Sequence, residues 1–317
     1  MTKRELDVAF EPSCEFEKIQ LTLRDNSSRS PEIFQKLLLD NNFYAARGLV
    51  HLVVGYDPKN RGSRLNRGCG NNCLTCFFEQ DYFENLPTHI NEVKPTNPET
   101  MLDDLRQMQG TAQAKTESII KIKLSPKDTF IRITGDVRGD PVMADFEATK
   151  KLVRRIRQGF PQATILIDTT ANQYTIPVSV WSQLKDTGVN RIMVSVNSVA
   201  SEAGYMTFHG VNQGALKTAI TNIRNIDQAG IKIGLSYVWG NHPDLSAEVK
   251  EQMPAYICDG KSPEARANFI QNLNLSQTPI ERLWLLETSS EEIWQRIKDG
   301  DQRYQNLLNQ GYQGIPF

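Results

Sequence analysis

Strand-length apolar runs alternate with helix patterns along most of this chain, and the alternation limits the folds that it can adopt. Six runs have the length and β-branched content of strands, and they lie at residues 49–56, 129–134, 163–169, 191–196, 231–239 and 281–287. Helix patterns lie between them, for example at residues 145–160 and at residues 213–230, where a glycine ends the pattern. This order predicts parallel strands joined by helices, either as an open doubly wound sheet or as a partial barrel.

Two further predicted elements precede this pattern, and a third lies in its longest gap. Residues 16–25 read as a strand, residues 30–48 as a helix that begins with a Ser-Pro pair, and residues 96–109 as a helix with Asn97 as its N-cap. A capped helix and a short tail rich in Gly and Tyr follow the last strand. We therefore divide the chain into an N-terminal extension (1–48), a core (49–290) and a C-terminal helix with its tail (291–317).

Charge and hydropathy exclude several classes of protein. The 36 Lys and Arg residues balance 37 Asp and Glu residues, so the net charge of -1 favours neither nucleic acid nor an anionic membrane surface as a partner. The first twenty residues contain no signal-peptide core, and no segment reaches the roughly 18 apolar residues of a membrane span. We expect a soluble, cytoplasmic protein with neither a membrane nor a nucleic acid as partner.

Three of the five cysteines are clustered in "RGCGNNCLTCFF" (67–78), directly after the first strand of the series. Cys69, Cys73 and Cys76 form a C-x3-C-x2-C pattern on a loop whose glycines allow tight turns. Thiols stay reduced in the cytoplasm, so clustered cysteines there are more often ligands than disulfides. Cys14 and Cys258 stand alone in the sequence, and we expect them to be small apolar residues of the core.

Three readings of this cluster remain open from the residues themselves. A structural zinc site needs a fourth protein ligand, which would have to be His89, His51 or a distant cysteine. A chance grouping would leave three thiols without a ligand role. A [4Fe-4S] cluster held by three thiolates would leave one iron open to an external ligand, as a reactive centre requires.

The cysteine pattern and two further motifs resemble the radical S-adenosylmethionine (radical SAM) superfamily. The second strand ends in "ITGDVRGDP", which is similar to the family's glycine-acidic motif for the SAM amino group. The fourth ends in "VSVNS", where the family contacts the ribose, and "SEAGYMTFHG" is similar to its turn into the next helix. Thr75 stands where the family usually has an aromatic residue, and His209 where it often has a basic one. The likeness covers roughly residues 49 to 290.

The resemblance implies a set of cofactors, site residues and a fold. Cys69, Cys73 and Cys76 would bind a [4Fe-4S] cluster whose open iron binds S-adenosylmethionine. The expected SAM contacts are Thr75, Phe77, Thr134, Gly135, Asp136, Asp168, Ser195, Asn197 and His209. All three motifs fall at the carboxyl ends of strands, where βα barrels place their chemistry, so we expect a partial (β/α)6 barrel of the TIM type rather than an open sheet.

The resemblance also implies a reaction. A reduced cluster would cleave SAM reductively to a 5'-deoxyadenosyl radical, which abstracts a hydrogen atom from the substrate. The electron would come from a donor such as flavodoxin or ferredoxin. The protein's own task would be to position the substrate and to exclude water and oxygen.

A looser resemblance concerns the substrate. The single cluster, the N-terminal extension and the modest length are similar to those of spliceases, which are lyases that excise tyramine at a Tyr-Gly site of ribosomally made peptides. This implies a peptide substrate with a leader and a small peptide-recognition partner protein. The alternatives are a radical SAM enzyme acting on a nucleoside, a tRNA base or a small metabolite, and, outside the enzymes, a non-catalytic zinc or iron-sulfur module.

Overall fold

A computed structural model describes most of the predicted core and the C-terminal segment. The described residues are 7–8, 49–54, 71, 73–74, 130–135, 140–144, 146–199, 201–239, 256, 262–285 and 291–317. The strand predicted at 16–25 and the helices predicted at 30–48 and 96–109 lie outside them, as do Cys14 and Cys258.

A seven-stranded sheet forms the centre of the described structure, and its strands are β1 (Asp7–Val8), β2 (Leu49–Val54), β3 (Phe130–Gly135), β4 (Thr164–Thr169), β5 (Arg191–Asn197), β6 (Lys232–Trp239) and β7 (Ile280–Leu285). The spatial order is β1-β7-β6-β5-β4-β3-β2. Strands β2 to β7 are all parallel and follow one another in sequence, and β1 pairs antiparallel with β7. All six predicted strands are confirmed, whereas the two-residue β1 was not predicted.

The strand order decides between the two architectures that the sequence pattern allows. A doubly wound sheet reverses its strand order at a switch point. Here each parallel strand adds to the same side of the one before it, as in a βα barrel, and the described strands leave the sheet unclosed between β2 and β1. The expected α/β fold with a partial barrel is therefore confirmed.

Seven helices accompany the strands in the described residues, and they are α1 (Pro141–Ala144), α2 (Phe146–Gly159), α3 (Val178–Asp186), α4 (Glu202–His209), α5 (Ala215–Gln228), α6 (Pro263–Leu273) and α7 (Glu291–Asn309). The helices predicted at 145–160 and 213–230 are α2 and α5. The glycine expected to end the second of them, Gly230, has a φ of 71°, a left-handed conformation that glycine adopts without strain.

The main core lies between the sheet and its helices. Ile131 and Ile133 of β3 belong to the same buried cluster as Val153 and Ile156 of α2, so these alternate strand residues face the helices. The residue between them, Arg132, faces the opposite side because neighbouring side chains of a strand point in opposite directions. That opposite side of the sheet carries the polar residues considered below.

Helix α4 is buried along almost its whole length. Every residue from Ala203 to His209 is buried. Ser201 caps its first turn by accepting a hydrogen bond from the backbone N–H of Gly204, and Gly210 ends it with a φ of 61°. A helix buried all round has no amphipathic stripe, so periodicity alone gave no sign of its position.

The loop between β4 and α3 is held by one buried side chain of α5. The Asn222 Oδ1 atom accepts a hydrogen bond from the backbone N–H of Ile176 at 2.7 Å. Its Nδ2 group donates to the carbonyl oxygens of Ala171 and Tyr174 at 2.7 and 2.8 Å. Asn222 is 0% exposed, so these backbone groups have little access to water and depend on its amide.

No helix in the described part of the chain combines the length and the apolar character that crossing a membrane would require.

Asn222→Ala should destabilise the protein by about 3 kcal/mol, because it leaves one buried N–H and two buried carbonyl oxygens without a partner. Asn225→Ala is the matched control. Its amide donates one hydrogen bond, to the carbonyl oxygen of Ile176 at 2.8 Å, in a half-buried position. Urea unfolding of the two variants measures the difference. Equal losses of stability would contradict this role for Asn222.

Candidate functional site

The cysteine loop contacts helix α4, whose last residue, His209, contacts the end of β5. The backbone N–H of Leu74 donates to the carbonyl oxygen of Phe208 at 2.9 Å. The Cys73 Sγ atom lies 3.5 Å from the Nδ1 atom of His209, the last residue of α4. Two regions that are 136 positions apart in sequence therefore meet at the carboxyl edge of the parallel sheet. That edge is where βα folds place their functional residues.

His209 is fully buried and uses both nitrogens of its ring. Its Nε2 atom lies 3.0 Å from the carbonyl oxygen of Val196, which can only accept, so Nε2 carries the hydrogen. The Nδ1 atom then has a lone pair, and the Nδ2 group of Asn71 lies 3.3 Å from it as a donor. His209 thus links β5 to the cysteine loop through hydrogen bonds.

Burial keeps the His209 ring neutral. It lowers the pKa of His209 from the usual 6.5 to about 4, and the hydrogen bond to Val196 offsets part of that effect. Tyr205 stacks on the same ring with 4.3 Å between ring centroids, and Phe208 contacts its edge. At pH 7 the ring therefore orients its neighbours without adding a positive charge.

The end of β5 has an irregular backbone where the sequence predicted a cofactor contact. The pairing with β6 shifts register between Ser195 and Asn197, which is the mark of a β-bulge. Asn197 has a φ of 61°, a left-handed conformation that asparagine tolerates better than most residues. Its Nδ2 atom lies 3.4 Å from His209 Nε2. The structure therefore brings Asn197, His209 and Cys73 together, as expected for one site.

A carboxylate that the sequence analysis missed joins the first residues of α1 to the end of β4 and the residue after it. Asp140 is 4% exposed, and its Oδ1 atom accepts from the backbone N–H groups of Val142 and Met143 at 2.9 and 3.0 Å. It also accepts from the hydroxyls of Thr169 and Thr170, at 2.8 to 2.9 Å, and from the Thr170 backbone N–H. The signal was present in the sequence, because an Asp-Pro pair is typical of an N-cap followed by the first residue of a helix.

Asp168 faces the polar side of the sheet, where it forms a buried ion pair. The Nε atom of Arg132 donates to its Oδ2 atom at 2.7 Å, and Arg132 Nη2 contacts the same oxygen. Both side chains are less than 10% exposed. The carboxylate expected to contact SAM is therefore held by a cation of the neighbouring strand, which fixes its position.

Two buried amide oxygens near these residues lack a hydrogen-bond partner among the described residues. Asn172 donates from Nδ2 to the Tyr205 hydroxyl at 3.0 Å, but its Oδ1 atom accepts nothing there. The same holds for Asn71 Oδ1. Leaving a buried acceptor unpaired costs roughly 1 to 3 kcal/mol, so such atoms suggest a ligand that donates N–H or O–H groups.

The remaining predicted site residues are only partly described. Cys69, Thr75, Cys76, Phe77 and Asp136 lie outside the described residues. Thr134 and Gly135 are the last two residues of β3, at the expected strand end. Their assignment to SAM, like that of Asp168 and Ser195, stays a prediction.

The sulfur and oxygen atoms of this site fit the cofactors that the sequence predicts. Cys73 would supply a thiolate ligand for iron, and it lies beside His209 at the end of α4. The unpaired oxygens of Asn71 and Asn172 fit a ligand with amino and hydroxyl donors, and SAM carries both. The site therefore offers a metal ligand and acceptors for an organic ligand.

Comparison with known proteins gives similar solved structures but no similar sequence family. No protein-family model matches the chain, and no curated protein sequence matches it. The FeFe-hydrogenase maturase HydG from Carboxydothermus hydrogenoformans is similar over 92% of this chain and 67% of its own, with 13% identity and a TM-score of 0.44.

Two further solved structures are similar at comparable levels. Coproporphyrinogen III oxidase (HemN) from Escherichia coli, described as a radical SAM enzyme, matches over 85% of this chain and 53% of its own (14% identity, TM-score 0.42). SuiB from Streptococcus suis, bound to S-adenosylmethionine, matches over 86% of this chain and 60% of its own (14% identity, TM-score 0.38). The chain spans about half to two thirds of the length of these proteins. At these values the likeness does not itself assign an activity to this chain.

Lowering the pH from 7 to 5 should cost the metal-free protein about 2 kcal/mol of stability through His209 alone. The folded-state pKa of about 4 lies below the usual 6.5, so the unfolded chain takes up the proton first as the pH falls. The stability that the neutral ring contributes is complete above about pH 6.5 and is lost toward pH 4.

Urea unfolding at both pH values, compared with His209→Gln, isolates this contribution. Glutamine can donate to Val196 and accept from Asn71 but does not titrate in this range. An equal pH dependence in the two proteins would contradict the buried neutral ring.

Proposed function

We propose that this chain is a radical SAM enzyme whose cluster is bound by Cys69, Cys73 and Cys76. The observation that carries the proposal is the contact of the C-x3-C-x2-C loop with helix α4, through Cys73 and His209 and through Leu74 and Phe208, because His209 is also bonded to Val196 of β5. His209 therefore connects a predicted iron ligand to a strand end where the same resemblance predicts SAM contacts.

The residues of the site have separate tasks in this proposal. When bound, the [4Fe-4S] cluster and SAM supply a strongly oxidising carbon radical for hydrogen abstraction. His209 keeps its Nε2–H on Val196 and accepts from Asn71 on Nδ1, so the loop stays in place when Cys73 is deprotonated to ligate iron. Asp140 joins the start of α1 to the residue that follows β4. Asn71 and Asn172 offer acceptor oxygens to the bound organic group.

For the substrate we propose a ribosomally made peptide, with excision of tyramine at a Tyr-Gly site as the reaction. The support is the loose resemblance to spliceases, namely a single cysteine cluster preceded by a predicted strand and helix. The proposed partners are a precursor with a leader, a small peptide-recognition protein, and an electron donor such as flavodoxin or ferredoxin.

Anaerobic reconstitution should yield about four irons per chain, and the loaded protein should form 5'-deoxyadenosine from SAM under a strong reductant. Cys73→Ala removes one thiolate ligand and should abolish both. Iron and sulfide analysis and chromatography of the nucleoside products are the measurements. Cys258→Ala is the matched control and should retain iron and activity, because Cys258 stands alone in the sequence.

The result also separates the proposed function from its alternative outside the enzymes. One zinc per chain with no iron, or a bound cluster that never cleaves SAM, would point to a non-catalytic binding module instead.

Co-expression with a precursor peptide that contains Tyr-Gly should lower the mass of the peptide by that of the excised tyramine unit. Replacing this tyrosine by phenylalanine in the precursor should abolish the mass loss. Mass spectrometry of the purified peptide detects it, and co-purification tests the leader complex. Hydrogen abstraction from a free nucleoside or metabolite, with no change in any precursor, would support the alternative substrate class.

A further inference from the structure

A second apolar cluster lies outside the main core and joins the cysteine loop to helix α7. Its buried members are Ala203, Phe208, Tyr256, Ile297 and Tyr304, and the half-buried residues packed against it are Leu74, Leu307, Leu308 and Tyr312. We call this set the α7 cluster. Its members come from α4, from α7 with its tail and from the cysteine loop, together with Tyr256 from the segment between β6 and α6.

Leu74 connects this cluster to the predicted iron site. It follows Cys73 directly and lies two residues before Cys76. Its N–H donates to the carbonyl oxygen of Phe208, and its side chain packs in the α7 cluster. A backbone hydrogen bond and apolar packing thus hold the cysteine loop at Leu74, the residue next to the predicted iron ligand Cys73.

The absence of a side chain at Gly300 allows α7 to lie close to Leu74 and Tyr256. It lies in the middle of α7 and is buried, and a Cβ atom there would lie 2.5 Å from the Tyr256 hydroxyl and 2.6 Å from Leu74 Cδ1. Both distances are far below contact distance, so even a methyl group would have to displace its neighbours. The Tyr256 hydroxyl donates to the carbonyl oxygen of Ile297 at 2.8 Å, which restricts its movement.

Helix propensity alone would favour alanine over glycine at position 300. Glycine inside a helix costs roughly 1 kcal/mol relative to alanine, so an alanine at an open position would be more stable. A glycine in the middle of a 19-residue helix therefore needs a reason from packing. The contacts of Leu74 and Tyr256 provide it.

The tail after α7 holds helix α4 in place as well. The N–H groups of Glu202 and Ala203, in the first turn of α4, donate to the carbonyl oxygens of Gly314 and Tyr312 at 2.8 and 3.1 Å. Arg303 of α7 donates to the carbonyl oxygen of Val211, just beyond the end of α4, at 2.9 Å. Both ends of the helix that carries His209 are therefore bonded to the C-terminal segment.

We propose that Leu74 and Gly300 are positioning residues for the predicted iron site. Helix α7 reaches the cysteine loop only because residue 300 lacks a side chain, and Leu74 transmits that contact to Cys73. The assignment of Cys73 as an iron ligand rests on the proposed function, whereas the packing of the loop on α7 does not. The inference can therefore be tested in the metal-free protein.

Gly300→Ala should release the cysteine loop, although alanine favours the helix. In the metal-free protein, the rate of Cys73 alkylation by iodoacetamide should rise about fivefold or more, as read by mass spectrometry of the peptide. In the reconstituted protein, the electron paramagnetic resonance spectrum of the reduced cluster should broaden or change its g values. Gly314→Ala is the matched control, since nothing lies within 4 Å of its Cβ position, and it should leave both unchanged.

A double-mutant cycle with Leu74→Ala tests the route of the effect. If Gly300→Ala acts through Leu74, it should add little to the alkylation rate once Leu74 has lost its side chain. Full additivity, an unchanged rate in Gly300→Ala, or an equal effect of Gly314→Ala would overturn the proposal. If no iron binds to any variant, the proposed function fails, but the alkylation result still decides this inference.

Discussion

The parallel pairing of β2 to β7 in sequence order is the constraint on which the rest of the structure depends. Because all six strands run in the same direction, their carboxyl ends gather at one edge of the sheet. The cysteine loop, the Asp140 carboxylate and the bulge at Asn197 lie far apart in sequence, yet each belongs to this edge. No residue of the site can come near another unless this pairing forms.

The polar groups of this edge divide into those that hold the protein together and those that the proposed function assigns to a ligand. Asp140 and Asn222 are fully engaged with backbone groups of the loops and fix their shape. The oxygens of Asn71 and Asn172 find no such partner among the described residues. A rigid frame with a few unpaired acceptors is the arrangement expected where binding must orient a small molecule.

The sequence predicted the six parallel strands because buried β-branched runs between helix patterns leave little choice of fold. It also predicted that Asn197, His209 and Cys73 belong together. It missed helix α4 as an element buried on every side, since periodicity detects only a helix with one apolar face. It missed the role of Gly300, which reads as a weak point of a helix until Leu74 is seen beside it. Such contacts depend on tertiary packing and leave no local pattern.

The contact between Leu74 and the α7 cluster has a consequence for the order of folding. The cysteine loop near residue 74 is anchored by residues 297 to 308, which are synthesised more than two hundred residues later. The loop can therefore reach its final place only after the sheet has formed and α7 has left the ribosome. Metal loading at this site would then be a step that follows synthesis, on a chain already folded around an empty loop.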